Sequence, residues 1–162
     1  MNNYQYVPNP TGWVDPLGLS CALENCPGAK NSDQSRDAVY ENLPRLPSTQ
    51  EEGYLYRGVY KGHPAEADAI EGRVTPGKFD GEVSPEDHNY GGHSANSPYT
   101  SWTRSPDIAK SFAKDDGIIL RLKIGAPKEG DKWSWQYSDD RWAEQEVLLK
   151  GPRSGDIEVF KP

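Results

Sequence analysis

Between Tyr99 and Ala113 the chain changes rhythm. Tyr99-Thr100-Ser101-Trp102-Thr103 reads as the end of a strand, and its three hydroxyls within four positions favour local hydrogen bonding over a helix interior. Ser105 is then placed to cap a helix, with Pro106 at the first helical position and Asp107 in the first turn. Ile108, Ala109, Phe112 and Ala113 recur at helical spacing and give that helix one apolar face. The pattern predicts a strand–bend–helix unit that presents Ser101 into a cleft from the junction.

On either side, alternation predicts more strands. Gly53 releases the chain into Tyr54–Tyr60, a strand carrying Arg57. Residues 117–124 form the clearest strand: Ile118, Leu120, Leu122 and Ile124 share one face, while Arg121 and Lys123 leave the other partly wet. Glu144–Lys150 is predicted as a strand, residues 151–155 as a turn, and Asp156–Phe160 as the last strand. Helices are short: one opens at Asp33 or Ser35 and runs through Tyr40 until Pro44 and Pro47 stop it, and Pro64–Ile70 ends before Gly72. Residues 72–98 read mostly as loop, and a loop of that length is usually functional or mobile. Residues 125–143 form a polar loop holding Trp133, Trp135, Tyr137 and Trp142, balanced between core filling and target contact. There is no internal repeat. Short strands with a few helices predict an α+β fold, mainly β in its second half.

The first residues break this pattern. Tyr4, Tyr6 and Val7 alternate briefly before Asn9-Pro10, Gly12 and Asp15-Pro16-Leu17-Gly18-Leu19 punctuate the chain with turns. Residues 1–19 read as the last strand and turn of a larger body, 20–32 as a linker, and 33–162 as the domain proper. A length of 162 residues fits one domain with a tail; 34% apolar residues with 14 Pro and 16 Gly allow a lean core and much loop. The net charge of −7 argues against a general nucleic-acid or anionic-membrane binder, though not against a nucleic-acid substrate held by a local patch. No apolar run approaches a membrane span, and no secretory signal opens the chain. Cys21 and Cys26, a Cys-x4-Cys pair without a second pair, are a weak metal signal and are read as incidental. His63, His88 and His93 lack metal-ligand spacing and receive no role, and no metal is predicted.

Arg57, Ser101 and the Glu144/Glu146 pair carry the candidate chemistry. Residues i and i+2 of a strand share a face, so Glu144 and Glu146 are expected to project together. Taken singly, each residue has an ordinary explanation: a solvated arginine, a turn serine, the wet face of an edge strand. Together they suit a phosphate-bearing glycoside. Arginine binds phosphate bidentately and keeps its charge. One carboxylate stabilises the positive charge that develops when a glycosidic bond breaks, and a second takes a proton from the incoming nucleophile.

Two resemblances extend this reading. Asn9-Pro10 followed by Asp15-Pro16-Leu17-Gly18-Leu19 is similar to the segment closing the core of Rhs-type polymorphic toxins, where a β-rich shell ends and a variable toxic domain begins. In that family the core cleaves itself after the final leucine, which matches Leu19, with Asp15 matching one of the aspartates used. Residues 54–160 resemble the Arg–Ser–Glu class of mono-ADP-ribosyltransferase toxins: Tyr56-Arg57-Gly58 matches the strand arginine, Ser101-Trp102-Thr103 the Ser-Thr-Ser motif with two mild departures, and Glu144-Gln145-Glu146 the Glu-x-Glu motif.

The resemblance implies a split β-sandwich around an NAD cleft, with NAD+ as substrate. Arg57 would hold its phosphate or ribose, with Gly58, Thr100 and Thr103 beside it, and Ser101 would order the nicotinamide-side ribose. Glu146 would stabilise the oxocarbenium, and Glu144 would activate an acceptor, an arginine on a protein before nucleic acid. It further implies an antibacterial effector made in the bacterial cytoplasm as part of a larger protein with the Rhs shell. Type VI secretion would export it to act in the recipient cytoplasm, and a cognate immunity protein would restrain it, with no membrane partner. The rival readings are an NAD+ glycohydrolase, a binding module and a nuclease.

Overall fold

The computed structural model describes residues 38–48, 51–138 and 143–162. The expectations for residues 1–32, for the start of the first helix and for Trp142 lie outside these. Six strands, β1 (Tyr54–Val59), β2 (Tyr99–Thr103), β3 (Ile118–Lys123), β4 (Lys132–Trp133), β5 (Glu146–Lys150) and β6 (Ile157–Phe160), form one sheet in the order β4-β5-β2-β1-β3-β6. Every neighbouring pair is antiparallel. Three short helices accompany it, α1 (Glu66–Ile70), α2 (Pro85–Tyr90) and α3 (Pro106–Ala113), together with 3₁₀ turns at Ser94–Asn96 and Ser134–Gln136. Residues 38–42 are also helical. The protein is therefore α+β, as expected. No helix among the described residues is long and apolar enough to cross a membrane.

The sheet is unevenly stitched. β1 and β3 run in register over six pairs, from Tyr54↔Lys123 to Val59↔Ile118, and β2 and β5 over five, from Tyr99↔Lys150 to Thr103↔Glu146. Between β1 and β2 the ladder is a single pair, Tyr56↔Thr103. A continued ladder would bring Gly58 opposite Ser101; instead the strands part there.

Both faces of the sheet are covered, and this explains how a lean composition sustains a core. One face packs Leu55, Val59, Trp102, Ile118, Leu120, Val147 and Leu149 against Ala69 of α1 and Val74. The other packs Tyr56, Ile119 and Phe160 against Ala109 and Ala113 of α3 and against Leu46. Ile118, Ile119 and Leu120 are consecutive and all fully buried, as a strand enclosed on both faces requires. The expectation of a wet second face on β3 fails at Arg121. That side chain is buried, pairs with Glu158 at 2.8 Å, and lies over the rings of Tyr54 and Phe160. Stacking covers its carbon stem and guanidinium plane while the edge meets carboxylate.

Helix α3 follows its sequence signals. Ser105 Oγ accepts from Ile108 N, Pro106 opens the helix, and Pro106, Ala109 and Ala113 are buried. Phe112 of the expected apolar face is instead 51% exposed. The helix approaches β1 closely at Gly58, where an added Cβ would lie 2.0 Å from Ala109 O, so only glycine fits.

Three boundaries differ from the sequence reading. Ser101 lies in the middle of β2, two residues before its end, and not at the junction. β5 begins at Glu146, because Ala143 and Gln145 adopt positive φ (51° and 49°) and break the extended chain before it. The alternation argument therefore does not apply to Glu144 and Glu146. Finally, the stretch 72–98 holds α2, capped by Ser84 Oγ accepting from Asp87 N at 3.1 Å with Pro85 at its first position.

Candidate active site

Where β1 and β2 part, a cavity of about 420 Å³ opens. Six of the seven residues singled out from the sequence line it: Arg57, Gly58, Ser101, Thr103, Glu144 and Glu146. The seventh, Thr100, does not. Its hydroxyl donates to Leu149 O and accepts from Trp102 Nε1 at 3.0 Å, on the face of β2 that Trp102 buries in the core. The assignment of Thr100 to NAD+ is corrected on that ground.

Arg57 takes over where the ladder stops. Its Nη1 donates to Ser101 O at 2.6 Å, so a side chain replaces the backbone pair that the divergence removes. Its Nε is buried with no partner among the described residues. Burial pushes the guanidinium below its ordinary pKa, and the charge of Glu146 opposes the shift. Arginine starts so high that it remains a cation, held in the lining of the cavity.

Glu146, 7% exposed, opens β5 opposite Thr103. Its Oε2 accepts from Asn89 Nδ2 at 2.8 Å and from Tyr137 OH at 3.0 Å. Two donors on one oxygen fix the carboxylate and leave Oε1 to face other groups. Glu144 is placed by its backbone: Thr103 Oγ1 donates to Glu144 O at 2.6 Å while accepting from Ser105 N at 3.1 Å, and Arg104 N donates to Gln145 O. Thr103 thus ties the carboxylate-bearing turn to the start of α3. Its hydroxyl is engaged in that work. Gly58 serves the site by letting α3 dock, which places Ile108 and Phe112 as the cavity's apolar wall.

Two histidines without an expected role also line the cavity. His88 Nε2 lies 2.9 Å from Ser101 Oγ and its Nδ1 lies 2.6 Å from Ser97 Oγ. Burial lowers the pKa of His88, with Glu146 opposing and Arg57 reinforcing the shift. His63 Nδ1 accepts from Ala65 N at 2.9 Å, which leaves Nε2 to carry the proton of the neutral ring. Burial and the nearby Arg57 lower its pKa, and Glu66 raises it. Asn89 and Tyr137 were likewise unanticipated. The signal for His88 and Asn89 is the capping run Ser84-Pro85-Glu86-Asp87, which marks a helix as clearly as Ser105-Pro106-Asp107 does. For Tyr137 and Ser97 no local signal exists.

The arrangement offers a fixed cation, a fixed carboxylate, a second carboxylate, a hydroxyl and an apolar wall within one cavity. A cavity of this size with few convergent polar groups is typical of a small-molecule site. Among the described residues, no group of three His, Cys, Asp or Glu side chains is placed to share a metal. Compared with protein-family profiles, curated proteins and solved structures, the chain finds no match.

Proposed function

We propose that this protein cleaves NAD+ and transfers its ADP-ribose to a macromolecular acceptor. One observation carries the reading. Arg57, Ser101, Glu144 and Glu146, spread over three separate stretches of chain, line a single cavity at the divergence of β1 and β2. On this reading the parting divides the sheet into the halves β4-β5-β2 and β1-β3-β6, which supports the split β-sandwich that the resemblance implies.

In the proposed reaction Arg57 binds an anionic part of the dinucleotide, and its exclusion from water strengthens that contact. The bond between ribose C1′ and the nicotinamide nitrogen breaks, with its electron pair leaving on nicotinamide. Glu146, held by Asn89 and Tyr137, faces the positive charge left on the ribose and stabilises it without reorganising. The acceptor's nucleophilic atom then bonds to C1′ and its proton passes to Glu144. The two carboxylates thus do different work, one on the sugar and one on the acceptor. By the resemblance of residues 9–19, the protein would be the toxic end of a larger secreted effector, restrained in its maker by an immunity protein.

The test is incubation with NAD+ labelled on the adenylate phosphate, together with a bacterial lysate. A labelled macromolecule is expected. Free ADP-ribose alone would convert the reading to a glycohydrolase, and unconsumed NAD+ would overturn it.

A further inference from the structure

Ser97, His88 and Ser101 form a chain of hydrogen bonds whose direction the structure determines. Ser97 is 0% exposed. Its Oγ accepts from Tyr99 N at 3.1 Å and lies 2.6 Å from His88 Nδ1. A hydroxyl carries one hydrogen, and an enclosed one must give it to an acceptor. Among the described residues the acceptor in reach of Ser97 is His88 Nδ1. That nitrogen therefore offers its lone pair, and the proton of the neutral ring resides on Nε2. Nε2, 2.9 Å from Ser101 Oγ, then donates to it. Ser101 has spent an acceptor site and keeps its own hydrogen for the cavity.

We propose that His88 is a positioning residue that sets Ser101 as a hydrogen-bond donor to whatever occupies the cavity. The opposite arrangement, with His88 as a base drawing a proton from Ser101, needs the proton on Nδ1. Both Tyr99 N and Nδ1 would then donate to Ser97 Oγ, and the Ser97 hydrogen would be stranded in a closed pocket. An imidazolium meets the same obstacle. The ring is held for this task on several sides: it is 8% exposed, Tyr99 meets it edge-on at 6.1 Å, and the next residue, Asn89, is tied to Glu146. The occupant that Ser101 faces consequently presents a hydrogen-bond acceptor, as a sugar hydroxyl or an amide carbonyl does. His88 is thereby excluded as the base of a serine nucleophile at this site.

Two measurements test this, and only the second rests on the NAD+ reading. In the unliganded protein at neutral pH, long-range ¹H–¹⁵N correlation of the His88 ring should show the proton on Nε2. A proton on Nδ1, or an imidazolium, overturns the proposal whatever the substrate proves to be. Nicotinamide release is then compared for His88→Gln, whose side-chain amide can still donate to Ser101, and His88→Leu, which cannot. His88→Gln should stay within about threefold of the parent, and His88→Leu should lose about tenfold in kcat with KM little changed. Ser101→Ala should lose as much, and adding His88→Leu to it should cost nothing further. Equal rates for the two His88 variants, at matched melting temperatures, would overturn the positioning role. A parent that leaves NAD+ intact would instead refute the proposed function, and the ring tautomer would still decide the hydrogen-bond direction.

Discussion

Exchanging the buried carboxylate of Glu146 for an amide isolates charge from shape. Glu146→Gln keeps the side-chain volume and one oxygen for Asn89 Nδ2 and Tyr137 OH, which now meet at Oε2. Hydrogen bonds to a charged partner are worth about 1 kcal/mol more each than neutral ones, so the folded state should lose about 2 kcal/mol and remain folded. The catalytic effect is larger. A unit charge about 4 Å from the developing cation, at an effective dielectric constant of about 20, is worth about 4 kcal/mol. The amide dipole recovers part of this, which leaves a loss of about two orders of magnitude or more in nicotinamide release. Glu144→Gln is the control: it should abolish transfer to the acceptor and spare most of the slow hydrolysis to water. The assay is paired, with nicotinamide release and label transfer measured for each variant alongside its melting temperature. Equal and small effects of the two substitutions would mean that neither carboxylate acts on the reaction and would refute the division of labour.

Other perturbations address the supports of the site. Gly58→Ala drives a methyl into Ala109 O and should destabilise the protein by more than about 2 kcal/mol in thermal melts; a change under about 0.5 kcal/mol would show that α3 can retreat freely. Thr103→Val removes the bond to Glu144 O and the acceptor for Ser105 N, so label transfer should fall more than nicotinamide release. Loss of both in equal measure would mean that Thr103 does not act through Glu144. Acidification should also weaken the fold. Burial lowers the pKa values of His63 and His88, so below about pH 6.5 the unfolded chain binds protons that the folded chain refuses. Stability should be constant above that pH and decline beneath it, and the decline in urea melts should shrink in the His63→Gln, His88→Gln double variant.

Much of the framework is written locally in the sequence. Alternation marks β1, β3 and β6, and Ser105-Pro106-Asp107 marks the start of α3, because strand pleat and helix capping depend on near neighbours alone. The same local code marks α2 through Ser84-Pro85-Glu86-Asp87, although the density of Gly, Pro and Asn around it suggests loop. Arg57, Ser101, Glu144 and Glu146 are legible as candidates too, since what a side chain can offer chemically depends on its type, whatever the fold. Tertiary structure alone decides how they meet. Alternation states that Thr100 and Ser101 face opposite ways, but only the burial of Trp102 beside Leu149 and Val147 sends Thr100 inward and Ser101 to the cavity. The break at Gln145, the parting of β1 from β2, and the bond from Asn89 to Glu146 across 57 residues are likewise settled by packing between distant segments. A sequence window does not contain those energies, because each arises only when two remote surfaces compete for the same neighbour.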